Sequence, residues 1–193
     1  MHRPMWQKDY DQLRLVVWFP LCCGTHRRRG VRLFARDDDR AARVRNLSSF
    51  AGILAFDKWT CNADGRQAAF WKRRGERKFT ASFIDQGYCF NAGEWSFPDA
   101  PLRGVFGRND VYIDVTGWES FEPWLSRIEC FPESSLWPLV DQIPPEWYDS
   151  AENELERLLT TLLERRPRVR HFILAFKDSS RNPFPNWRGE PAS

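Results

Sequence analysis

Metal-ligand spacing is missing from this chain. Its five cysteines, Cys22, Cys23, Cys61, Cys89 and Cys130, form no C-x-x-C pair and stand in no zinc-type spacing with the three histidines. Their odd number also argues against a disulfide framework, so a zinc knot and a disulfide-stapled scaffold are set aside and a reducing, cytoplasmic compartment is expected. Long apolar runs are missing too. The one run resembling a secretory h-region, Leu15 to Cys23, is interrupted by Pro20 and followed by arginines. It falls well short of the about 20 apolar residues that cross a bilayer, which points to a soluble protein without a membrane partner. No internal repeat and no low-complexity tract occur, which removes solenoids and biased linkers.

A strong net charge is absent as well, but the small excess of +3 is unevenly spread. Residues 1 to 45 hold eleven Lys and Arg against five Asp, a balance of +6, and the remainder holds 18 basic against 21 acidic residues, or −3. Any attraction to nucleic acid would therefore come from the N-terminal segment and its Arg27-Arg28-Arg29 triplet; a solvated basic patch is the simpler reading, and nucleic acid is not expected as a partner.

What the chain does have is aromatic mass, ten Trp and fifteen Phe among 193 residues, with ordinary hydrophobic and charged fractions of 42% and 28%. That length suits one domain, and so much rigid ring area suits a bulky core or an exposed docking surface, the core being the plainer reading. Three segments are expected: a poorly defined basic stretch over 1–45, a folded unit over 46–187 and a tail over 188–193. Asn46 or Ser48 is placed to cap a helix whose apolar positions Leu47, Phe50, Ile53, Leu54 and Trp59 recur at helical spacing. Gly65 stands at its exit, where a positive φ would suit a tight turn.

Two aromatic-rich runs follow, Gln67 to Lys72 and Lys78 to Ile84, separated by a Gly-containing loop that reads as a β-hairpin. Tyr88 to Asp114 reads as a long ordered loop. Helices are expected over Ser120 to Cys130, with Pro123 in the first turn, over Ser134 to Val140, over Ser150 to Arg165 and over Arg168 to Lys177; residues from Arg181 to Trp187 read as an extended tail. The expected fold class is α+β, largely helical with a small antiparallel hairpin.

Two stretches carry the chemistry. One is Phe56-Asp57-Lys58-Trp59-Thr60-Cys61-Asn62-Ala63-Asp64-Gly65-Arg66-Gln67, and the other, about twenty residues on, is Phe83-Ile84-Asp85-Gln86-Gly87. Each sets a carboxylate beside a glycine at the edge of an apolar run, and the hairpin brings both to the same end of neighbouring strands. Either Asp alone is as well read as a turn residue. As a pair they match the minimum for phosphoryl transfer, one Asp near an attacking hydroxyl and one Asp for Mg²⁺. Cys61, with no histidine near it in sequence, reads as a packing residue, and Trp59, Trp71, Trp118 and Trp124 as core.

These stretches, together with Trp95 to Phe106 and Gly117 to Trp124, resemble the C-terminal lobe of HipA-like kinases over about Val44 to Trp187. The resemblance implies a protein-kinase-like C-lobe related to the phosphatidylinositol-kinase branch, ATP and Mg²⁺ as cofactors, and Ser or Thr of a protein substrate as acceptor, alongside a partner protein. It makes Asp64 the catalytic Asp, Asp85 the metal-binding Asp with Gln67 beside it, and Asn62, Gln67 and Gly87 the cofactor-binding residues. Where related kinases carry a metal-binding Asn, five residues after the catalytic Asp, this chain has Ala69. With 45 residues ahead of the matching region, the N-lobe is expected to be absent or truncated. The alternative is a catalytically inactive C-lobe that serves as a protein-binding module through Trp95, Phe97, Trp118 and Trp124.

Overall fold

The computed structural model describes residues 43–148 and 152–189, so the basic N-terminal stretch up to residue 42, its Arg triplet and the residues Ser150 and Ala151 lie outside the described residues. The described part is α+β: one two-stranded antiparallel sheet and a helical body. No helix of the described residues is long and apolar enough to cross a membrane.

The first helix, α1 (Ser49–Trp59), is buried along all 11 residues. A helix covered on every face cannot be read from a one-sided apolar stripe, and here even Asp57 and Lys58 are enclosed. Its neighbours are the short helix α2 (Trp124–Glu129), α5 (Val169–Lys177) and the 3₁₀ turn Trp118–Phe121. The Trp124 indole lies directly on Gly52, where an added Cβ would come within 2.4 Å of the ring, so a side chain at that position would displace the tryptophan.

Neither expected cap closes the start of α1 through its side chain. Ser48 occupies the N-cap position with no side-chain hydrogen bond. Asn46 turns instead toward the sheet, where its amide accepts from the Ala81 N–H and donates to the Ala81 carbonyl, both at 2.9 Å. An Asn amide carries a donor and an acceptor at the spacing of a peptide group, so it pairs with an exposed strand edge as a neighbouring strand would.

The hairpin forms as expected with slightly shorter arms, β1 (Gln67–Trp71) and β2 (Thr80–Ile84), paired from Gln67↔Ile84 to Trp71↔Thr80. Its inner face packs on α1 through Phe50, whose ring meets Phe83 edge-on at 4.9 Å and stacks toward Phe70 at 6.3 Å.

Beyond the hairpin the expected helix over Ser120 to Cys130 is divided. Glu122 is extended, as a residue before proline tends to be, so a 3₁₀ turn ends at Phe121 and α2 begins only after Pro123. The chain continues through the 3₁₀ turn Glu133–Ser135, α3 (Trp137–Val140), α4 (Glu152–Arg165) and α5, with Leu155, Leu158, Leu159 and Leu162 of α4 and Val169, Phe172, Ile173 and Phe176 of α5 buried as their spacing predicts.

The residues after α5 are not a free tail. Phe184 is 3% exposed, with its ring 5.6–5.8 Å from those of Tyr112, Phe121, Phe176 and Trp187. Backbone and side-chain bonds from Asn109 to Arg181, from Asn186 to Ile113 and from Arg188 to Thr116 fasten this segment to the loop over 106–116. Phe184 meets Tyr112, Phe121 and Phe176 edge-on and stacks on Trp187, arrangements that favour such a cluster by roughly 0.5–1.5 kcal/mol per pair beyond simple burial.

Candidate functional site

The site is built where α1 ends. Thr60 closes the helix by donating its N–H to Phe56, and the next residue, Cys61, takes a left-handed backbone with φ 52°. Gly65 does not carry the positive φ expected of it; the turn is made earlier, at Cys61, whose side chain is buried with its thiol 3.5 Å from the Pro98 carbonyl.

From there the loop 60–66 is pinned on both sides. Ala63 donates to the Tyr88 carbonyl at 2.9 Å, Phe90 and Asn91 donate back to Thr60 and Cys61, and Arg66 donates to Val105 at 2.9 Å. Gly104 completes the frame by donating to the Asp64 carbonyl at 3.1 Å. Its φ is +65° and an added Cβ would lie 2.9 Å from Asp57 Cβ and 3.2 Å from the Asn62 carbonyl, so only glycine fits there without displacement.

Beneath the loop lies a buried polar cluster centred on Asp57. Arg66 grips its carboxylate with two nitrogens, Nε at 2.8 Å and the second guanidinium nitrogen in closer contact, and Asn62 Nδ2 donates to it at 3.0 Å. All three side chains are at most 3% exposed. Burial pushes the Asp57 carboxyl up from its ordinary value, and Arg66 and Asn62 pull it back toward the charged form.

Each partner then reaches onward to one half of the site. Asn62 Oδ1 accepts from the Asp64 backbone N–H at 3.2 Å. Arg66 donates to the carbonyls of Ile84 at 2.8 Å and Asp85 at 3.2 Å. One buried carboxylate thereby fixes the backbone under both candidate carboxylates, a part of the design that the reading of the motifs missed. The signal that could have found it is an Asp enclosed in a wholly apolar helix, with an Arg nine residues on.

Asp64 and Asp85 themselves are exposed. Asp64 Oδ1 accepts from the Gly65 N–H at 2.7 Å, leaving its other oxygen toward solvent. Asp85 adopts φ 63°, a left-handed conformation that Asp tolerates better than most residues and that clusters at functional sites. The register Gln67↔Ile84 sets Gln67 beside Asp85, and its Nε2 donates to Asp85 Oδ2 at 2.9 Å, so the amide oxygen is the group Gln67 has left for a ligand.

The other sequence candidates are placed as follows. Gly87 stands next to the carboxylate: a Cβ there would be 3.6 Å from Asp85 Oδ1. Asn62 supports the loop from beneath and, at 2% exposure, offers little to a ligand on the Asp64 face. Ala69 sits within β1 opposite Ser82 and presents no metal-binding group. Trp95, Phe97, Trp118 and Trp124 are all half-buried; Trp124 covers Gly52 and Trp118 meets Trp187 edge-on at 5.2 Å.

Among the described residues no three His, Cys, Asp or Glu side chains converge as a metal-holding group. An all-protein cage is therefore not formed, whereas Mg²⁺ is commonly held by one or two carboxylates with substrate phosphates and water supplying the rest, which Asp85 can satisfy. No family profile, curated protein or solved structure matches the chain.

Proposed function

We propose that the chain is a HipA-like Ser/Thr protein kinase domain that carries out ATP- and Mg²⁺-dependent phosphoryl transfer to a protein hydroxyl. The observation that carries this reading is the shared support of two exposed carboxylates: the Asp57 cluster holds the backbone of Asp64 through Asn62 and that of Asp85 through Arg66. Phosphoryl transfer depends on positioning and charge compensation more than on covalent chemistry, so a rigid base beneath two exposed acids is the feature it needs.

In this mechanism Asp85 would hold Mg²⁺, Gln67 would support it through its hydrogen bond to the carboxylate, and Gly87 leaves room beside it. Mg²⁺, when bound, neutralises charge on the transferring phosphate. Asp64 orients the acceptor hydroxyl and takes its proton at the oxygen not occupied by the Gly65 N–H. The left-handed backbone at Asp85 and the Gly104 hydrogen bond to the Asp64 carbonyl support the main chain beneath the two carboxylates.

The test is ATP binding and autophosphorylation by the full chain with and without Mg²⁺. A Mg²⁺-dependent thermal shift and phosphate incorporation are expected, with incorporation lost in Asp64→Asn and both lost in Asp85→Asn. A wild-type chain that shows neither would overturn the kinase reading. The second reading, a kinase-like C-lobe that binds a protein without catalysis, is favoured by one observation, the side-chain-poor Ala69 at the position of the second metal ligand. It is separated from the first by any phosphate incorporation that depends on Asp64.

A further inference from the structure

At the same helix end, a cavity of about 170 Å³ opens between α1, the loop over 98–103 and α5. That space is several times the volume of a water molecule, about 30 Å³ in the liquid, and below the roughly 300 Å³ at which small-molecule sites begin. It is separate from the candidate carboxylate face. Neither Asp64 nor Asp85 lines it.

Its walls carry more positive than negative charge. Lys58 is 5% exposed, and its ammonium donates to the carbonyls of Pro101 and Arg103, both at 2.7 Å. Two of its three N–H donors are taken in this way, the ammonium also stands over the Phe176 ring, 5.3 Å from its centroid, and no carboxylate among the described residues is within ion-pair distance of it. Arg103, an exposed residue on the loop wall, donates to Asn91 Oδ1 at 2.6 Å and likewise has no carboxylate partner among the described residues.

The acids at the cavity are already committed. Asp57 is held by Arg66, and Asp99 is shared by Arg165 at 3.1 Å and Arg168 at 2.8 Å. Arg165 is further occupied by the carbonyls of Lys58 and Trp59 and lies 4.3 Å from the Phe172 ring centroid. Lys58 and Arg103 are the charges without a carboxylate partner of their own among the described residues, and Pro98, Pro101 and Phe172 around them lower the local dielectric, which makes an ammonium without a counter-ion expensive.

We propose that this cavity binds a small oxyanion, a carboxylate or a tetrahedral sulfate- or phosphate-type group, between the third donor of Lys58 and the guanidinium of Arg103. The site is independent of the phosphotransferase reading, because its ligand neither reaches the exposed carboxylates nor needs them.

The state of Lys58 gives the site a signature. Burial holds its pKa down at about 8, Asp57 and Cys61 raise it, and Arg165 lowers it further. A bound anion restores the charged form, so affinity is highest below pH 8 and falls as the ammonium deprotonates. The charged and titratable groups around it are Asp57 and Cys61 at the end of α1, Arg165 of α4, Asp99 and Arg103 of the loop, and His171 of α5. Burial pushes the Cys61 thiol up, away from the range in which Lys58 titrates, so binding is compared at pH 7.5 and pH 9.5.

The experiment is calorimetric titration of sodium sulfate and, separately, sodium acetate into the full chain at constant ionic strength. Saturable one-site binding of at least one anion is expected, weaker by at least about tenfold at pH 9.5 than at pH 7.5. The anion that binds assigns the tetrahedral or the carboxylate class. Arg103→Gln, at an exposed position, is expected to weaken binding at least tenfold while folding normally, and Lys58→Met to abolish it. Ala175→Leu fills the cavity and provides a third test should Lys58→Met not fold. No saturable binding of either anion, or equal binding by wild type and Arg103→Gln, would overturn the proposal.

Discussion

Asp57 and Asp64 stand seven residues apart and occupy opposite environments. Asp57 is 1% exposed and accepts from Arg66 and Asn62, whereas Asp64 is exposed and keeps one oxygen clear. The contrast separates two tasks that a carboxylate can have. A buried, paired carboxylate is hard to move and specifies backbone positions; an exposed one is weakly held and is available to a ligand. The same division runs between Asp57 and Asp85, with Arg66 as the connection.

The largest expected effect comes from breaking the buried half. Asp57→Ala removes the carboxylate that Arg66 grips and leaves that guanidinium, 3% exposed, without this counter-charge. A loss of about 3–5 kcal/mol in unfolding free energy is expected from chemical denaturation. The double variant Asp57→Leu with Arg66→Met should lose less than Asp57→Ala, because the buried guanidinium is removed together with its counter-charge. A double variant as unstable as the single one would show that the pair acts through its onward bonds to Asn62, Ile84 and Asp85 rather than through charge balance.

Breaking the exposed half should leave stability almost untouched. Asp64→Asn and Asp85→Asn are expected within about 0.5 kcal/mol of wild type in denaturation, as surface substitutions usually are. Under the proposed function each lowers phosphate transfer by about 10² or more. A loss of stability comparable with that of Asp57→Ala would erase the distinction between the two kinds of carboxylate.

How much of this could be read from the chain depended on where each signal was written. The hairpin was legible because alternating aromatic runs and a Gly-containing loop are local, and its register alone brings Gln67 to Asp85. The polar cluster was not, since Asp57 followed by Lys58 looks like an ordinary solvated face until α1 is known to be covered all round. Gly104 was hidden in a loop without period, and the burial of Phe184 depends on partners from Tyr112 to Trp187. Asn46 had the right residue type for a cap, but the edge of β2 offered it two hydrogen bonds in place of one.

Gly104→Ala tests the frame between the two halves. With φ at +65° and a Cβ pressed to 2.9 Å from Asp57, the substitution is expected to cost roughly 1–3 kcal/mol, seen as a lower denaturation midpoint. Its effect should reach the exposed half as well, because the Gly104 N–H holds the Asp64 carbonyl. An alanine without consequence would mean that the 98–105 loop yields without disturbing the carboxylates.

The smallest effect is a slope. Lys58 is held at about pKa 8 in the folded chain against an ordinary 10.5, so between those values the unfolded chain binds more protons than the folded one. Stability attributable to this side chain therefore rises with pH across that window, by less than about 1.4 kcal/mol per pH unit. Cys61 and Tyr112, both pushed up by burial, act in the opposite direction at high pH, and the comparison must cancel them. Wild type measured against Lys58→Met does so, in chloride buffer free of sulfate and carboxylates. The wild-type advantage should grow from pH 8 toward pH 10.5, and a gap that stays constant would place the Lys58 pKa at its ordinary value, with the buried ammonium compensated by the carbonyls of Pro101 and Arg103.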